Sequence, residues 1–225
     1  MSQGKLVVIE GVDGTGKTTQ HERLLSRLAS EGMAHASVSF PRYERTAGKL
    51  ISEYLSGGFG TNPGDVNAYA ASSFYAVDRF TSFRQEPWGE CYRMGGLVVL
   101  ARYTTSNAIH QGAKLPQEER EGFFAWLEDY EYNKLGLPRP DLVFYLKAPI
   151  ETALFHIAKR AEEENTPADI HERNLAYFTA CAESGAAAAS YFGWQEVEVT
   201  QNGRFLPIDE IHEKIYSALQ ERKLL

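Results

Sequence analysis

The segment Gly11-Val12-Asp13-Gly14-Thr15-Gly16-Lys17-Thr18, followed by Thr19, fits the spacing G-x-x-x-x-G-K-[ST]. Its glycines let the backbone curl so that successive N–H groups converge on one point, and a helix starting there adds partial positive charge. That arrangement suits a polyphosphate. Lys17 supplies a mobile full charge for the β- and γ-phosphates, and the Thr18 hydroxyl is of the type that coordinates Mg²⁺. A purely structural glycine turn has no use for the Lys-Thr pair. The residues therefore point to a nucleoside triphosphate, without fixing the reaction, because the same loop serves switches, motors and kinases.

Such a loop needs a strand before it and a helix after it. Leu6, Val7, Val8 and Ile9 form an apolar run directly upstream, and Leu24, Leu25 and Leu28 recur at helical spacing downstream. Further β-branched apolar runs fall at residues 36–40, 97–101, 142–146 and 197–200, separated by longer amphipathic stretches. The expectation is an α/β fold with a five-stranded parallel sheet flanked by helices on both faces, since runs such as Leu97-Val98-Val99-Leu100 suit strands covered on both sides. Gln195, Glu196 and Glu198 make the last strand the least regular. Phe123, Phe124, Leu127 and Tyr130 mark a helical face. The aromatics Phe123, Phe124 and Trp126 read as core or subunit packing rather than a ligand box, and Ile208, Ile211, Ile215 and Leu219 as a closing helix.

No Asn-Lys-x-Asp segment for reading guanine is present, and the third apolar run ends in Ala101-Arg102 rather than in the acidic residues of a motor. Instead Arg42, Arg79, Arg102, Arg160 and Arg173 fall after strands or in polar helical segments, where they could converge on two phosphorylated ligands. Nearly the whole chain resembles the thymidylate kinase family. The resemblance lies in VVIEGVDGTGKTT, FPRY at 40–43, SFYAVDR at 73–79, ARYTTSNAIHQGAK at 101–114 and LPRPDLVFYL at 137–146, in that order. It implies a P-loop NTPase fold in a single domain over 1–225, ATP and Mg²⁺, and transfer of the γ-phosphate to dTMP. It also implies a short mobile lid at about 159–173, and a homodimer formed through helices following the second and third strands.

Carried onto matching positions, the resemblance implies that Arg42 pairs with the dTMP phosphate and Arg79 with thymine, with Tyr75 or Phe74 stacking on the base. Phe40, Pro41 and Ser106 belong to the same dTMP set. Tyr103 would lie against the sugar, and Asn107 offers an amide donor and acceptor to thymine O4 and N3–H. Arg102 would contact the phosphates of donor and acceptor. Some family members carry an arginine in the phosphate loop where this chain has Gly14, which passes the catalytic charge to Arg160 and Arg173 in the lid, with Lys159 as a lesser candidate. The acceptor is already a phosphate oxyanion near neutral pH, so no general base is required and charge neutralisation carries the rate.

One position departs from the pattern. The third strand in the family usually ends in Asp-Arg-Tyr or Asp-Arg-His; here it ends in Ala101-Arg102-Tyr103. The absent carboxylate would orient the arginine and help hold Mg²⁺, so reduced activity is expected, with Glu10 as the nearby compensating carboxylate in both the metal and the dTMP sets. Two other readings remain open from the residues: a kinase of another monophosphate or a deoxynucleoside, with Glu10 as base, and a nucleotide-binding pseudokinase.

Composition narrows the partners. The formal charge of -7 is opposite to the footprint of a nucleic-acid-binding protein. No apolar run approaches the roughly 20 residues that span a bilayer, and the N-terminus has no export-signal pattern, so a cytoplasmic location is expected. Cys91 and Cys181 stand apart from any zinc-ligand spacing and read as reduced thiols.

Overall fold

The computed structural model describes the backbone of residues 3–164 and 175–225 and, outside 160–164, their side chains. Strands β1 (Lys5–Gly11), β2 (His35–Ser39), β3 (Leu97–Ala101), β4 (Leu142–Lys147) and β5 (Gln195–Glu198) form a parallel sheet in the order β2-β3-β1-β4-β5. Among the described residues the helices are α1 (Lys17–Ser30), α2 (Thr46–Leu55), α3 (Ala68–Gln85), α4 (Pro87–Arg93), α5 (Thr104–His110), α6 (Gln117–Leu127), α7 (Ile150–Glu164), α8 (Leu175–Phe192) and α9 (Ile208–Glu221).

The period-two geometry of β1 explains why the sheet needs two helical layers. Val7 and Ile9 point to one face, where they pack with Leu24 and Leu28 of α1 and Ile215 and Leu219 of α9. Leu6 and Val8 point to the other, against Trp88 and Tyr92 of α4 and Phe83 of α3. The expected five-stranded α/β sheet is thus present. Phe123, Phe124 and Leu127 are fully buried against Ala188 of α8, whereas Trp126 is half-buried at the edge of the same cluster, so two of the three aromatics are core.

β2 ends one residue earlier than the apolar run suggests, and β5 occupies residues 195–198 rather than 197–200. The polar residues that make β5 irregular belong to an edge strand, where Lys147 of β4 pairs with Glu196 and Glu198. A short hairpin, β6 (Thr200–Gln201) and β7 (Arg204–Phe205), follows it around Asn202-Gly203, both at positive φ. That Asn-Gly pair is the standard signal for a two-residue hairpin turn, and the strand pattern alone had not used it.

Central β1 delivers the phosphate loop at the carboxyl edge of the sheet, where α/β folds bind ligands. β3 beside it delivers Ala101 and Arg102 to the same edge, with Ala101 in register with Ile9 of β1 and Ser39 of β2.

Candidate active site

The loop after β1 is built by backbone that only glycine tolerates. Gly14 has φ +78°, and a Cβ there would meet the Ala153 carbonyl oxygen of α7 at 2.3 Å. Gly16, at φ +90°, turns the chain into α1 in the left-handed conformation. Val12 and Thr15 are buried, Thr15 capping the turn through its hydroxyl to the Val12 carbonyl, so these two shape the loop. Thr18 and Thr19 are exposed on a cleft of about 380 Å³ that Gly14, Gly16 and Lys17 also line. Lys17 donates to the carbonyls of Gly11 and Val12, each at 2.8 Å, and to Asp13 at 3.3 Å.

A second cavity of about 100 Å³ adjoins it, walled by Phe40, Pro41, Tyr75, Tyr103, Ser106 and Asn107. These are six of the residues assigned to dTMP from the sequence, brought together from the end of β2, from α3 and from α5. Asp13 and Arg102 line both cavities. Arg102 is one of the non-glycine residues at positive φ, 64°, a conformation that costs on the order of 1–2 kcal/mol and recurs at functional sites. Its guanidinium makes a very short ion pair with Asp13 and lies 3.3 Å from His110 Nε2.

Behind the second cavity lies a buried network. Glu131, in a wide π-helical turn at Glu128–Lys134 that extends α6, accepts two hydrogen bonds from Arg79, both at 2.6 Å. It also accepts from Thr104 Oγ1 at 2.9 Å and Asn107 Nδ2 at 3.1 Å. Arg79 spends its remaining terminal nitrogen on the Tyr103 carbonyl at 3.3 Å. It still touches the cavity wall, but as a buried strut rather than a free arm. Asn107 gives both amide donors to Glu131 and the Ser72 carbonyl, so Oδ1 is the atom left to face a ligand, and the expected donor to thymine O4 is already committed.

Other expectations shift as well. Arg42 lines neither cavity: Glu44 and Glu86 hold its guanidinium at 3.0 and 3.3 Å, and Asp78 accepts its backbone N–H at 2.8 Å. Two carboxylates thus hold its side chain and a third its backbone, in the loop that carries Phe40 and Pro41. Phe74 packs on Tyr54 and Phe59 and does not reach the cavity, which leaves Tyr75 as the aromatic of that pair. Glu10 is fully buried and accepts from Thr105 Oγ1 at 2.7 Å, Ser106 Oγ at 2.6 Å and the Gly11 N–H. It lines neither cavity, so a ligand in either would meet Ser106 or the phosphate loop before it, and Ser106 turns its hydroxyl towards Glu10. The Arg160 side chain and Arg173 lie outside the described residues.

Sequence reasoning missed Glu131, His110, Gln111, Tyr43 and His156. The first has no local motif, and only its tertiary contacts with Arg79, Thr104 and Asn107 give it a role. His110 and Gln111 sit inside a recognised segment but beyond its arginine and asparagine, and line the second cavity with Tyr43. His156, one of the residues on the first cleft, stands on α7 with its ring 4.3 Å from that of Phe205.

Charge balance is tight at the junction. Burial alone would push the Asp13 carboxyl up, but Arg102, Lys17 and His110 outweigh it and hold it well below the usual carboxylate range. Burial and the neighbouring Arg102 lower Lys17 to about 8 despite Asp13 and Glu10. Burial works against the Arg102 charge too, yet Asp13 and Glu10 more than compensate and keep it protonated.

A glycine-built phosphate cradle on the central strand of a parallel sheet, joined through Asp13 and Arg102 to a smaller aromatic pocket, places the chain in the class of P-loop nucleotide-binding proteins. The family model for thymidylate kinase matches residues 9–215. A thymidylate kinase of Mycobacterium tuberculosis is 34% identical over 171 residues, covering 75% of this chain and 78% of that one. The human thymidylate kinase is 29% identical over 217 residues, 95% of this chain and 88% of its own. The solved thymidylate kinase of Candida albicans shares the fold with a TM-score of 0.73 at 20% identity, covering all of this chain and 95% of that one. The chain belongs to the thymidylate kinase family, and is thus a nucleoside monophosphate kinase.

Proposed function

We propose that this chain transfers the γ-phosphoryl group of ATP to dTMP, giving dTDP and ADP, with ATP in the larger cleft and dTMP in the smaller. The observation that carries the reading is the position of Arg102, whose side chain lines both compartments. A guanidinium there can follow the charge that moves from donor to acceptor, which is most of what phosphoryl transfer asks of a protein. Lys17 would exchange its loop carbonyls for phosphate oxygens. In the acceptor pocket Tyr75 and Phe40 offer ring faces, and Asn107 Oδ1 is the acceptor for thymine N3–H. The acceptor phosphate then falls to Arg102 rather than Arg42. Arg160 and Arg173 remain our candidates for lid cations over 159–173 of a single domain.

Mg²⁺ would fit the donor cleft with the exposed Thr18 hydroxyl as its protein ligand, because this ion keeps several waters and takes much of its remaining coordination from substrate phosphates. When bound it would supply positive charge to offset the negative charge of the phosphates. Neither a base at Glu10 nor a pseudokinase is favoured: Glu10 is fully buried and lines neither cavity, and Lys17 and Arg102 both line the donor cleft. With Ala101 at the end of β3, we expect activity to be reduced rather than lost.

Exposed Tyr69, Val77 and Phe80 form an apolar stripe along α3, and this supports a homodimer through that helix. The Phe80→Glu substitution should convert a dimer into monomers by analytical ultracentrifugation; a monomeric parent chain would overturn the assignment. No described helix is long and apolar enough to cross a membrane, and free Cys91 and Cys181 suit a reducing, cytoplasmic setting. The reaction itself is tested by coupled ADP release with Mg²⁺ and ATP, offering dTMP, dUMP, dCMP, dGMP, AMP and thymidine separately. Selective turnover of dTMP is expected, and equal turnover of AMP or of thymidine would refute the proposal.

A further inference from the structure

Arg102 stands at the seam of the two compartments without a carboxylate at position 101 to aim it, yet its direction is fixed from two sides. Asp13 of the phosphate loop takes Nη2, and His110, at the last turn of α5, faces Nη1 with Nε2 at 3.3 Å. A guanidinium has only donors, so this contact is a hydrogen bond only if Nε2 is the accepting nitrogen. The ring proton then sits on Nδ1, which faces Cys181 Sγ on α8 at 3.6 Å. Helix α8 holds the same residue a second time, through the Tyr177 hydroxyl donating to the His110 carbonyl. His110 is therefore braced from behind by α8 while its other face reaches the acceptor cavity.

We propose that His110 is a positioning residue for Arg102, a neutral imidazole that holds the guanidinium across the donor–acceptor seam in a chain whose third strand ends in alanine. This rests on the phosphotransfer reading above. The alternative brace, Glu10, is consumed by Thr105, Ser106 and the Gly11 N–H. Asp13 alone fixes one end of the fork and leaves rotation about that contact; a second point removes it, which is how a planar guanidinium acquires a defined direction. The groups facing His110 include Arg102 from the end of β3, Asp13 from the loop after β1, and Cys181 and Tyr177 from α8. Protonating the ring would turn its accepting nitrogen into a donor aimed at a cation and release the arginine.

The test compares His110→Gln, which keeps a neutral acceptor of similar reach, with His110→Leu, which keeps bulk and loses the acceptor. With ATP, Mg²⁺ and dTMP, His110→Leu should lower kcat by about 10–100-fold with KM for ATP within about threefold, the loss expected for one misaimed charged hydrogen bond. His110→Gln should recover most of that loss and remove an acid limb from the kcat profile between about pH 5 and 8. In an Arg102→Ala background, His110→Leu should add less than about twofold, because the group it positions is gone. Equal impairment by Gln and Leu, or an undiminished effect of His110→Leu without Arg102, would overturn the inference and assign His110 to packing. A parent chain without turnover would instead count against the phosphotransfer reading.

Discussion

Removing the Glu131 carboxylate should be among the most damaging single changes outside the phosphate loop. Glu131 is 0% exposed and accepts four hydrogen bonds: two from Arg79, one from Thr104 and one from Asn107. Burial opposes the Arg79 charge, and it is Glu131 that more than restores it. The Glu131→Ala variant thus leaves an arginine uncompensated in a low-dielectric interior, which costs about 3–5 kcal/mol when one partner of such a pair is lost. For a chain of this size each kcal/mol moves the melting temperature by about 2–4 °C, so a fall of roughly 6–20 °C is expected by calorimetry. Because Arg79 also supports the Tyr103 carbonyl and Glu131 orients the Asn107 amide, KM for dTMP should rise more than KM for ATP. The double variant Arg79→Met, Glu131→Leu removes both charges and should be more stable than either single change. A melting temperature within 2 °C of the parent for Glu131→Ala, with an unchanged KM for dTMP, would refute this account of the network.

The remaining expectations concern the donor side. Ala101→Asp should raise the rate at limiting Mg²⁺ by about tenfold, the scale of an outer-shell ligand partner, and an unchanged rate would show that Ala101 is no defect. Lys17, lowered to about 8 in the free protein by burial and Arg102, should regain its proton beside the phosphates. ATP binding should therefore take up protons near pH 8 and weaken as pH rises through it. Calorimetry in buffers of different ionisation enthalpy reads the uptake, and the Lys17→Met variant should abolish it. Gly14→Ala should destabilise the loop by more than the roughly 1–2 kcal/mol of a left-handed alanine, because its Cβ would also strike the Ala153 carbonyl; unchanged ATP affinity and stability would contradict that packing.

What the sequence settled by itself was local. The phosphate cradle is made of consecutive residues whose glycines prescribe their own backbone, so spacing was enough to find it, and β1, β3 and β4 declared themselves as continuous apolar runs because both faces are covered. The order of motifs was enough to place the family. Tertiary structure alone decided which charges were left for chemistry. Arg79 and Glu131 are 52 residues apart and Asp13 and Arg102 are 89 apart, and no periodicity links such pairs. Arg42, Arg79 and Arg102 look alike in the sequence, yet one is tied to Glu44 and Glu86, one is locked to a buried glutamate, and one faces both cavities. The physical reason is that a charged side chain acts on a ligand only with the donors its own neighbours leave it, and those neighbours are set by how helices and strands distant in sequence pack together.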